Sequence, residues 1–297
     1  MADEMITGVS ADGFFRVFAV DATATVAEAQ RRHDTYSAAS AALGRTLVAA
    51  SLLATAGLKN ADDLLTVRIK GDGPVGAIVV DGTAVGTVRG YIQEPHVNLP
   101  LNLVGKLDVA RAVGKKGLLA VTKYLSGGEP FTGQVPLVSG ELGEDFAYYL
   151  AQSEQIPAAI GLSVFVNADN SIGHAGGFMV QALPGATDAA LTALETNVKT
   201  LPLVSEMLKA GMDATAIAKR VLGMGDSGFK PLAAKPLRFA CTCSKDHFAK
   251  VLATLARKDL QAMIDEDHGA EAVCKFCGAR YQYSEAELIK LRDQEEA

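Results

Sequence analysis

Cys241-Thr242-Cys243 is followed, after thirty residues, by Cys274-Lys275-Phe276-Cys277. These two segments hold all 4 cysteines of a chain of 297 residues. Residues two apart on an extended chain point to the same side, and a CxxC turn brings two sulfurs onto one centre. The four thiolates can therefore close a tetrahedron around one metal ion.

Zn²⁺ is the ion that this ligand set favours, because soft thiolates in a filled tetrahedral site suit it. Gly278, directly after Cys277, supplies the conformational freedom that such a turn needs. The alternative is two disulfides or two idle pairs. Since cytosolic cysteine clusters usually bind metal, we expect one Zn²⁺ per chain in the reduced state, held by Cys241, Cys243, Cys274 and Cys277.

Most Cys₄ sites are structural, because they leave no open coordination position for a substrate. The CxC half is unusual: a disulfide between residues two apart closes a small ring, which is incompatible with a metal-bound hairpin. Oxidation would then release the metal, whose binding supplies roughly 10 to 16 kcal/mol to a small zinc domain. A structural zinc ribbon and a redox switch both remain open at this stage.

Composition indicates a globular protein, with 49% hydrophobic residues, 29 glycines and no tryptophan. The acidic start, residues 1–5, lacks the basic end and apolar run of a secretory signal, so we expect a cytoplasmic location and reduced thiols. The most apolar window, residues 38–57, is rich in weakly hydrophobic Ala, Ser and Thr and contains Arg45. It is predicted to be a buried helix and not a membrane span.

The net charge of −6 is unevenly distributed. Residues 230–297 carry 11 basic and 11 acidic side chains, which leaves 17 basic and 23 acidic residues for the rest. A zinc ribbon that grips nucleic acid should carry a basic face, so the neutral C-terminal segment argues against that function.

Other motifs give no enzyme signature. Two GxGxxG matches, at residues 71–76 and 223–228, do not lead from a strand into a helix and are predicted to be turns. The sequence has no GxxxxGK[ST] and no GxSxG segment. Among the five histidines, His247 and His268 lie near the cysteines, but four thiolates already fill a tetrahedron. Glu144 and Asp145 are expected to complement the dipole at a helix start.

Residues 1–183 are predicted to form one α+β domain around a mainly antiparallel sheet. Helices are expected at residues 37–55, 107–113 and 144–155. Strands are expected at residues 14–20, 65–70, 75–80, 84–92, 118–125, 132–138, 159–167 and 178–183. The first of them is expected to continue into a second strand at Thr23 to Val26. Turns at residues 71–74 and at Asp81-Gly82 join three of these strands.

Residues 184–229 are predicted to be a helical linker region, with apolar positions at helical spacing from Leu191 to Leu201 and further helices at 204–210 and 213–221. These helices are too short to bury their apolar stripes alone, so we expect most of them to pack on the sheet domain. Residues 223–236 are rich in Gly and Pro and are predicted to be a linker. Residues 230–297 are predicted to form the small C-terminal zinc-binding domain, with helices at 246–255, 260–265 and 285–291.

The cysteine spacing and the domain order resemble the heat-shock protein 33 family, the redox-regulated bacterial holdase chaperones. A CxC followed by about thirty residues and a CxxC is highly specific to that family. Ser153-Glu154-Gln155-Ile156-Pro157 and the stretch from Gly176 to Ala186 also resemble its core-domain motifs. The resemblance covers essentially the whole chain, and none of the four cysteines departs from it.

The resemblance implies a binding protein and not an enzyme. It implies that oxidants pair Cys241 with Cys243 and Cys274 with Cys277, that zinc is lost, and that the C-terminal domain then unfolds and destabilises the linker. The oxidised protein would form a homodimer and hold unfolded client proteins without ATP. From the neutral C-terminal segment and the weakly apolar window at residues 38–57 we expect neither a nucleic acid nor a membrane as a partner.

Two alternatives remain beside this interpretation. One is a thiol-disulfide oxidoreductase that uses Cys274 and Cys277, which needs a thioredoxin-like βαβ setting. The other is a zinc-ribbon nucleic-acid-binding protein. We also hypothesise that Lys245, Lys275 and Arg280 offset the charge of a Cys₄ zinc centre and keep its thiolates reactive.

Overall fold

The computed structural model of the protein divides into two compact units between Ala240 and Cys241. It describes residues 3–293 and, within that range, every side chain except that of Asp226. This division lies past the expected domain boundary at residue 230. The reason is a strand after residue 228 that pairs within the first unit.

The strands of unit 1 form two sheets. In chain order they are β1 (Glu4–Ser10), β2 (Phe15–Asp21), β3 (Leu64–Lys70), β4 (Ala77–Thr83), β5 (Thr87–Ile92), β6 (Leu118–Tyr124), β7 (Phe131–Pro136), β8 (Ala158–Val166), β9 (Ile172–Ala182), β10 (Phe229–Pro236) and β11 (Arg238–Phe239). The first sheet has the order β10-β1-β2-β9-β8 and the second β11-β5-β4-β3-β6-β7. Only β11 and β5 pair in parallel among the described strands. The mainly antiparallel α+β fold class is confirmed, although it contains two sheets in place of one.

The helices of unit 1 are α1 (Thr23–His33), α2 (Ser37–Gly57), α3 (Val109–Val113), α4 (Gly143–Gln152), α5 (Asp188–Lys199), α6 (Val204–Lys209) and α7 (Ala214–Leu222). Helix α2 contacts strands of both sheets. Its small side chains allow this close approach, since a Cβ at Gly44 would lie 2.9 Å from a methyl group of Val164 on β8. By length and composition α2 could cross a membrane, but 89% of its apolar window is buried inside the protein. It is the buried core helix that the sequence predicts.

The opposite face of the first sheet is covered by α5, α6 and α7. Their buried side chains pack on Phe15, Val17 and Phe178 of the sheet and are Leu194, Val204, Met207, Leu208, Ala214, Ile217, Ala218, Val221 and Leu222. The expected packing of the helical stripes on the sheet domain is confirmed. Helix α5 contributes only one of these buried side chains, Leu194, and is therefore held by less apolar contact than α7.

The predicted linker at residues 223–236 is wrong for its second half, which forms β10. This strand runs antiparallel to β1, from Phe229 opposite Ser10 to Pro236 opposite Glu4. Its prolines are tolerated because β10 is an edge strand, where one side of the backbone has no partner strand. The sequence did not reveal β1, since this strand is buried on both faces and shows no alternation of apolar and polar residues.

Two shorter predictions are also corrected. Residues 23–26 begin helix α1 and are not a strand, because the carboxylate of Asp3 accepts hydrogen bonds from the N–H groups of Ala24 and Thr25. Asp81-Gly82 is not a turn but lies inside β4. There Asp81 accepts hydrogen bonds from Thr66 and from Arg89 on the two adjacent strands, which fixes it within the sheet.

Unit 2 contains α8 (Lys245–Leu252), α9 (Arg257–Asp265), β12 (Gly269–Val273), β13 (Arg280–Ser284) and α10 (Glu285–Asp293), and β12 pairs with β13. The buried members of its apolar cluster are Leu260, Ile264, Tyr283 and Leu288. Helix α8 buries no residue fully. A core of this size supplies little stability, and small domains of this kind are commonly reinforced by disulfides or a metal ion.

Asp145 organises the start of α4. The carboxylate is 0% exposed and accepts hydrogen bonds from the backbone N–H groups of Val138, Ser139 and Leu142, at 2.7, 3.0 and 3.0 Å. The expected position at a helix start is correct, and the same carboxylate also holds the preceding loop.

We expect Asp145→Ala to lower the free energy of unfolding by about 3 kcal/mol, because three N–H groups lose their acceptor. The control is Glu144→Ala at the adjacent exposed position, for which we expect a change below about 0.5 kcal/mol. Urea unfolding followed by circular dichroism measures both. Equal effects of the two substitutions would contradict this role of the buried carboxylate.

Candidate metal centre

The four cysteines meet at one end of the β12–β13 hairpin. Cys274 and Cys277 lie in the turn that joins the two strands, and Cys241 and Cys243 lie in the extended segment before α8. Cys274 and Cys277 are each 5% exposed, whereas Cys241 and Cys243 are half-buried. The fold thus brings together two segments that are thirty residues apart in the sequence.

The sulfur atoms are close enough to share one ion. All four Sγ atoms lie within 4.8 Å of one another. The Sγ atoms of Cys241 and Cys274 are 3.8 Å apart, and those of Cys243 and Cys277 are 3.3 Å apart. Sulfurs that bind one Zn²⁺ tetrahedrally at about 2.3 Å are separated by about 3.8 Å. The residues present therefore fit a Cys₄ zinc site, as their chemistry predicts.

The backbone of the CxxC turn holds its two thiols in place. Gly278 donates its N–H to the carbonyl of Cys274 at 2.8 Å, and Cys274 donates to the carbonyl of Ala279 at 2.9 Å. Gly278 has a φ of +73°, a left-handed conformation that glycine adopts without strain. This is the role expected for Gly278 from the sequence.

Two tyrosines that the sequence analysis did not identify support the cysteine segment. Tyr281 Oη lies 3.3 Å from Cys243 Sγ and donates a hydrogen bond to the Cys243 carbonyl at 3.1 Å. Tyr283 donates to the Lys245 carbonyl at 2.5 Å. The signal was their spacing: residues two apart on β13 share one face of the hairpin.

Burial controls the protonation of the thiols. It raises the pKa of Cys277 to about 12 and also raises the pKa of Cys274. The hydrogen bond with Cys243 raises the pKa of Tyr281 to about 12. At neutral pH the buried thiols of the metal-free cluster therefore carry their protons, and metal binding must release them.

The basic residues near the cysteines are engaged by carboxylates. Lys245 forms an ion pair with Glu287 at 2.6 Å, and Arg280 pairs with Glu271 at 2.5 Å. Lys275 is exposed on the CxxC turn. The hypothesis that these three cations activate the thiolates therefore gains no support from Lys245 or Arg280, whose charges are already balanced.

The nearby histidines lie outside the sulfur cluster. His268 Nδ1 is 2.6 Å from a Glu285 carboxylate oxygen, and His247 packs edge-on against Phe248. In the part of the chain that the structure describes, the candidate ligand group consists of the four cysteines alone.

Known proteins share the sequence and the fold of this chain. A family model described as "Hsp33 protein" matches residues 3–284. The 33 kDa chaperonin of Lacticaseibacillus casei is 69% identical over 100% of both chains, and that of Enterococcus faecalis is 49% identical over 99% of this chain and 97% of its own. The crystal structure of the 33 kDa chaperonin (heat shock protein 33 homolog) from Thermotoga maritima superposes with a TM-score of 0.91. It is 35% identical and covers 100% of this chain and 99% of that chain.

Tyr281→Phe should weaken zinc binding about tenfold, since outer groups that orient metal ligands typically contribute 10- to 100-fold to affinity. The control Tyr283→Phe removes a hydrogen bond in the same hairpin but none at a cysteine, and we expect it to change affinity by less than about threefold. Competition with a chromophoric chelator measures both affinities. Equal affinities in the two variants would show that the Tyr281 hydroxyl does not orient Cys243.

Proposed function

The chain belongs to the Hsp33 protein family, and we propose that it is a redox-regulated, ATP-independent holdase chaperone. The observation that carries this proposal is the meeting of four thiols in a unit whose buried apolar core is very small. In such a unit, the chemical state of the sulfurs decides whether the unit is folded.

In the reduced state, Cys241, Cys243, Cys274 and Cys277 would hold one Zn²⁺. The bound ion would keep the sulfurs as thiolates and supply roughly 10 to 16 kcal/mol of folding free energy. The turn at Gly278 and the hydroxyl of Tyr281 orient two of these ligands. This state is the inactive one.

Oxidation would join Cys241 to Cys243 and Cys274 to Cys277. Each new S–S bond passes two electrons to the oxidant. With hydrogen peroxide, each pair consumes one peroxide and two protons per pair of thiolates and releases two waters. Disulfide sulfurs carry no negative charge, so they no longer hold a cation, and unit 2 loses the ligation on which its fold depends.

The unfolded unit would expose apolar side chains that are otherwise covered, among them Leu260 and Leu288. Residues 184–229 would supply a second apolar surface if they loosen, and α5 is the weakest contact there because it buries only Leu194. These surfaces would bind the exposed apolar segments of unfolding client proteins. We propose that the oxidised form is a homodimer and that the protein acts in the cytoplasm, without ATP, nucleic acid or membrane.

The alternatives have less support. A disulfide oxidoreductase needs its CxxC motif at a helix N-terminus beside a strand, whereas Cys274 to Cys277 form a turn between two strands. The curated relatives of this chain are named chaperonins, which is consistent with a binding protein. A nucleic-acid-binding ribbon needs an excess of basic residues, whereas residues 230–297 carry 11 basic and 11 acidic side chains.

Peroxide treatment of the reduced, zinc-loaded protein should release zinc and suppress the aggregation of a heat-unfolded client enzyme in parallel, without nucleotide. Zinc release is measured with a chromophoric chelator, unfolding by protease sensitivity of residues beyond 240, and aggregation by light scattering. A protein that stays compact and inactive after peroxide treatment would overturn the proposal.

Cys274→Ser should weaken zinc binding and leave the protein partly active without oxidant, because one buried ligand is lost. Thr242→Ala is the control, since it changes an exposed residue between two ligands and leaves all four sulfurs in place. The same zinc and light-scattering measurements apply. A Cys274→Ser variant that keeps one tightly bound zinc and stays inactive would exclude Cys274 as a ligand.

A further inference from the structure

A cavity of about 140 Å³ lies in unit 1 at the C-terminal end of α2, where Leu53, Ala56 and Gly57 form part of its wall. The rest of the wall comes from both sheets, with Arg16 and Lys123, and from α4 and the loop that follows it. An engineered protein cavity of about 150 Å³ is large enough to bind benzene. This cavity can therefore hold a small organic molecule of about that size.

In the part of the chain that the structure describes, Arg16 is a cation without an anionic partner. It lies on β2, lines the cavity, and stacks on the Phe18 ring at 4.6 Å. Among the described groups, which leave out the Asp226 side chain, no carboxylate, carbonyl or hydroxyl pairs with its guanidinium. Burial lowers the pKa of Arg16. The pKa of Lys235 is also lowered, mainly by burial and to a smaller extent by repulsion from Arg16. The protein thus keeps a partly desolvated positive charge here, and an anion would relieve its cost.

Gln181 lies directly opposite Arg16, on β9, and also lines the cavity. It is 7% exposed, yet the one hydrogen bond of its amide in the described structure is a 3.8 Å contact from Nε2 to the sulfur of Met179. A thioether is a weak acceptor, and buried amides normally pair with oxygen or nitrogen atoms. The amide of Gln181 is therefore a second polar group with capacity for a ligand.

The remaining polar groups of the cavity satisfy one another. Lys123 Nζ lies 2.6 Å from Glu154, and the Tyr149 hydroxyl donates to the same carboxylate at 2.6 Å. Because this pair is neutral overall, Arg16 supplies the net positive charge of the lining. The other side chains of the wall are apolar and include Leu53, Leu65, Val121, Leu150 and Ile156.

We propose that this cavity binds a small organic monocarboxylate. Its carboxylate would accept two parallel hydrogen bonds from the planar guanidinium of Arg16 and one from the Gln181 amide. Its short aliphatic body would lie against the apolar wall beside Leu53 and Val121. An inorganic oxyanion fits less well, because its remaining oxygens would face that wall without partners.

Binding at this place would connect three parts of unit 1. Arg16 and Gln181 belong to the first sheet, Val121 to the second, and Leu53 to the helix between them. A ligand that binds only the folded state stabilises it in proportion to its concentration. The carboxylate would therefore raise the unfolding temperature of unit 1.

The test uses the reduced full-length protein and isovalerate, whose size is close to that of benzene. Isothermal titration calorimetry should show saturable binding at one site per chain. Isovaleramide, the neutral analogue, should bind at least about tenfold more weakly because it lacks the charge. No detectable binding of isovalerate, equal binding of the amide, or tighter binding of phosphate would each overturn the assignment.

Variants locate the site. Arg16→Gln should weaken isovalerate binding at least about tenfold, and Gln181→Glu should do the same by giving Arg16 an internal carboxylate. Arg68→Gln, the same change at an exposed strand position, is the control and should bind normally. Thermal unfolding without ligand verifies that each variant is folded. If Arg16→Gln does not fold, Gln181→Glu still tests the site. Unchanged affinity in Gln181→Glu would exclude this cavity, and because no oxidant or client is used, the result is independent of the proposed chaperone activity.

Discussion

The convergence of four sulfurs within 4.8 Å is the constraint on which the fold of unit 2 depends. The surrounding unit buries few apolar side chains, and α8 has none that is fully buried. Hydrophobic burial in a segment of this size gives only marginal stability. The hairpin, the Gly278 turn and the Tyr281 hydroxyl instead direct the cysteines to one point. The stability of unit 2 would then be tied to the chemical state of its four thiols, whereas unit 1 is held by a core that spans two sheets and α2.

Local features of the chain could be predicted where the residues that determine them lie in one short segment or in two. The alanine-rich run from Ser37 indicates a helix, and CxC with CxxC indicates one centre, because both signals are contained in short segments. What α2 packs against could not be read from its sequence, since its buried residues surround the helix and define no single face.

Two of the corrected predictions involve partners that are distant in the sequence. Strand β1 pairs with β10 across more than two hundred residues, and α1 begins where it does because Asp3 caps it. Thr23 and Thr25 favour a strand by their local propensity, which this tertiary contact overrides. Tyr281 and Tyr283 could have been found from their shared strand face, but only once β13 was recognised as a strand that follows the CxxC turn.

The β1–β10 pairing has a consequence for how the helical segment moves. Residue 182 ends β9 and residue 229 begins β10, and both strands belong to the same sheet. Residues 183–228 are therefore a closed loop whose two ends stay anchored even if α5, α6 and α7 detach. The entropy lost on closing a loop grows only slowly with its length, and the anchored ends have already incurred that loss. A detached segment would therefore remain at high local concentration beside its own docking face. Reassociation would then be a fast unimolecular event, independent of how dilute the protein is.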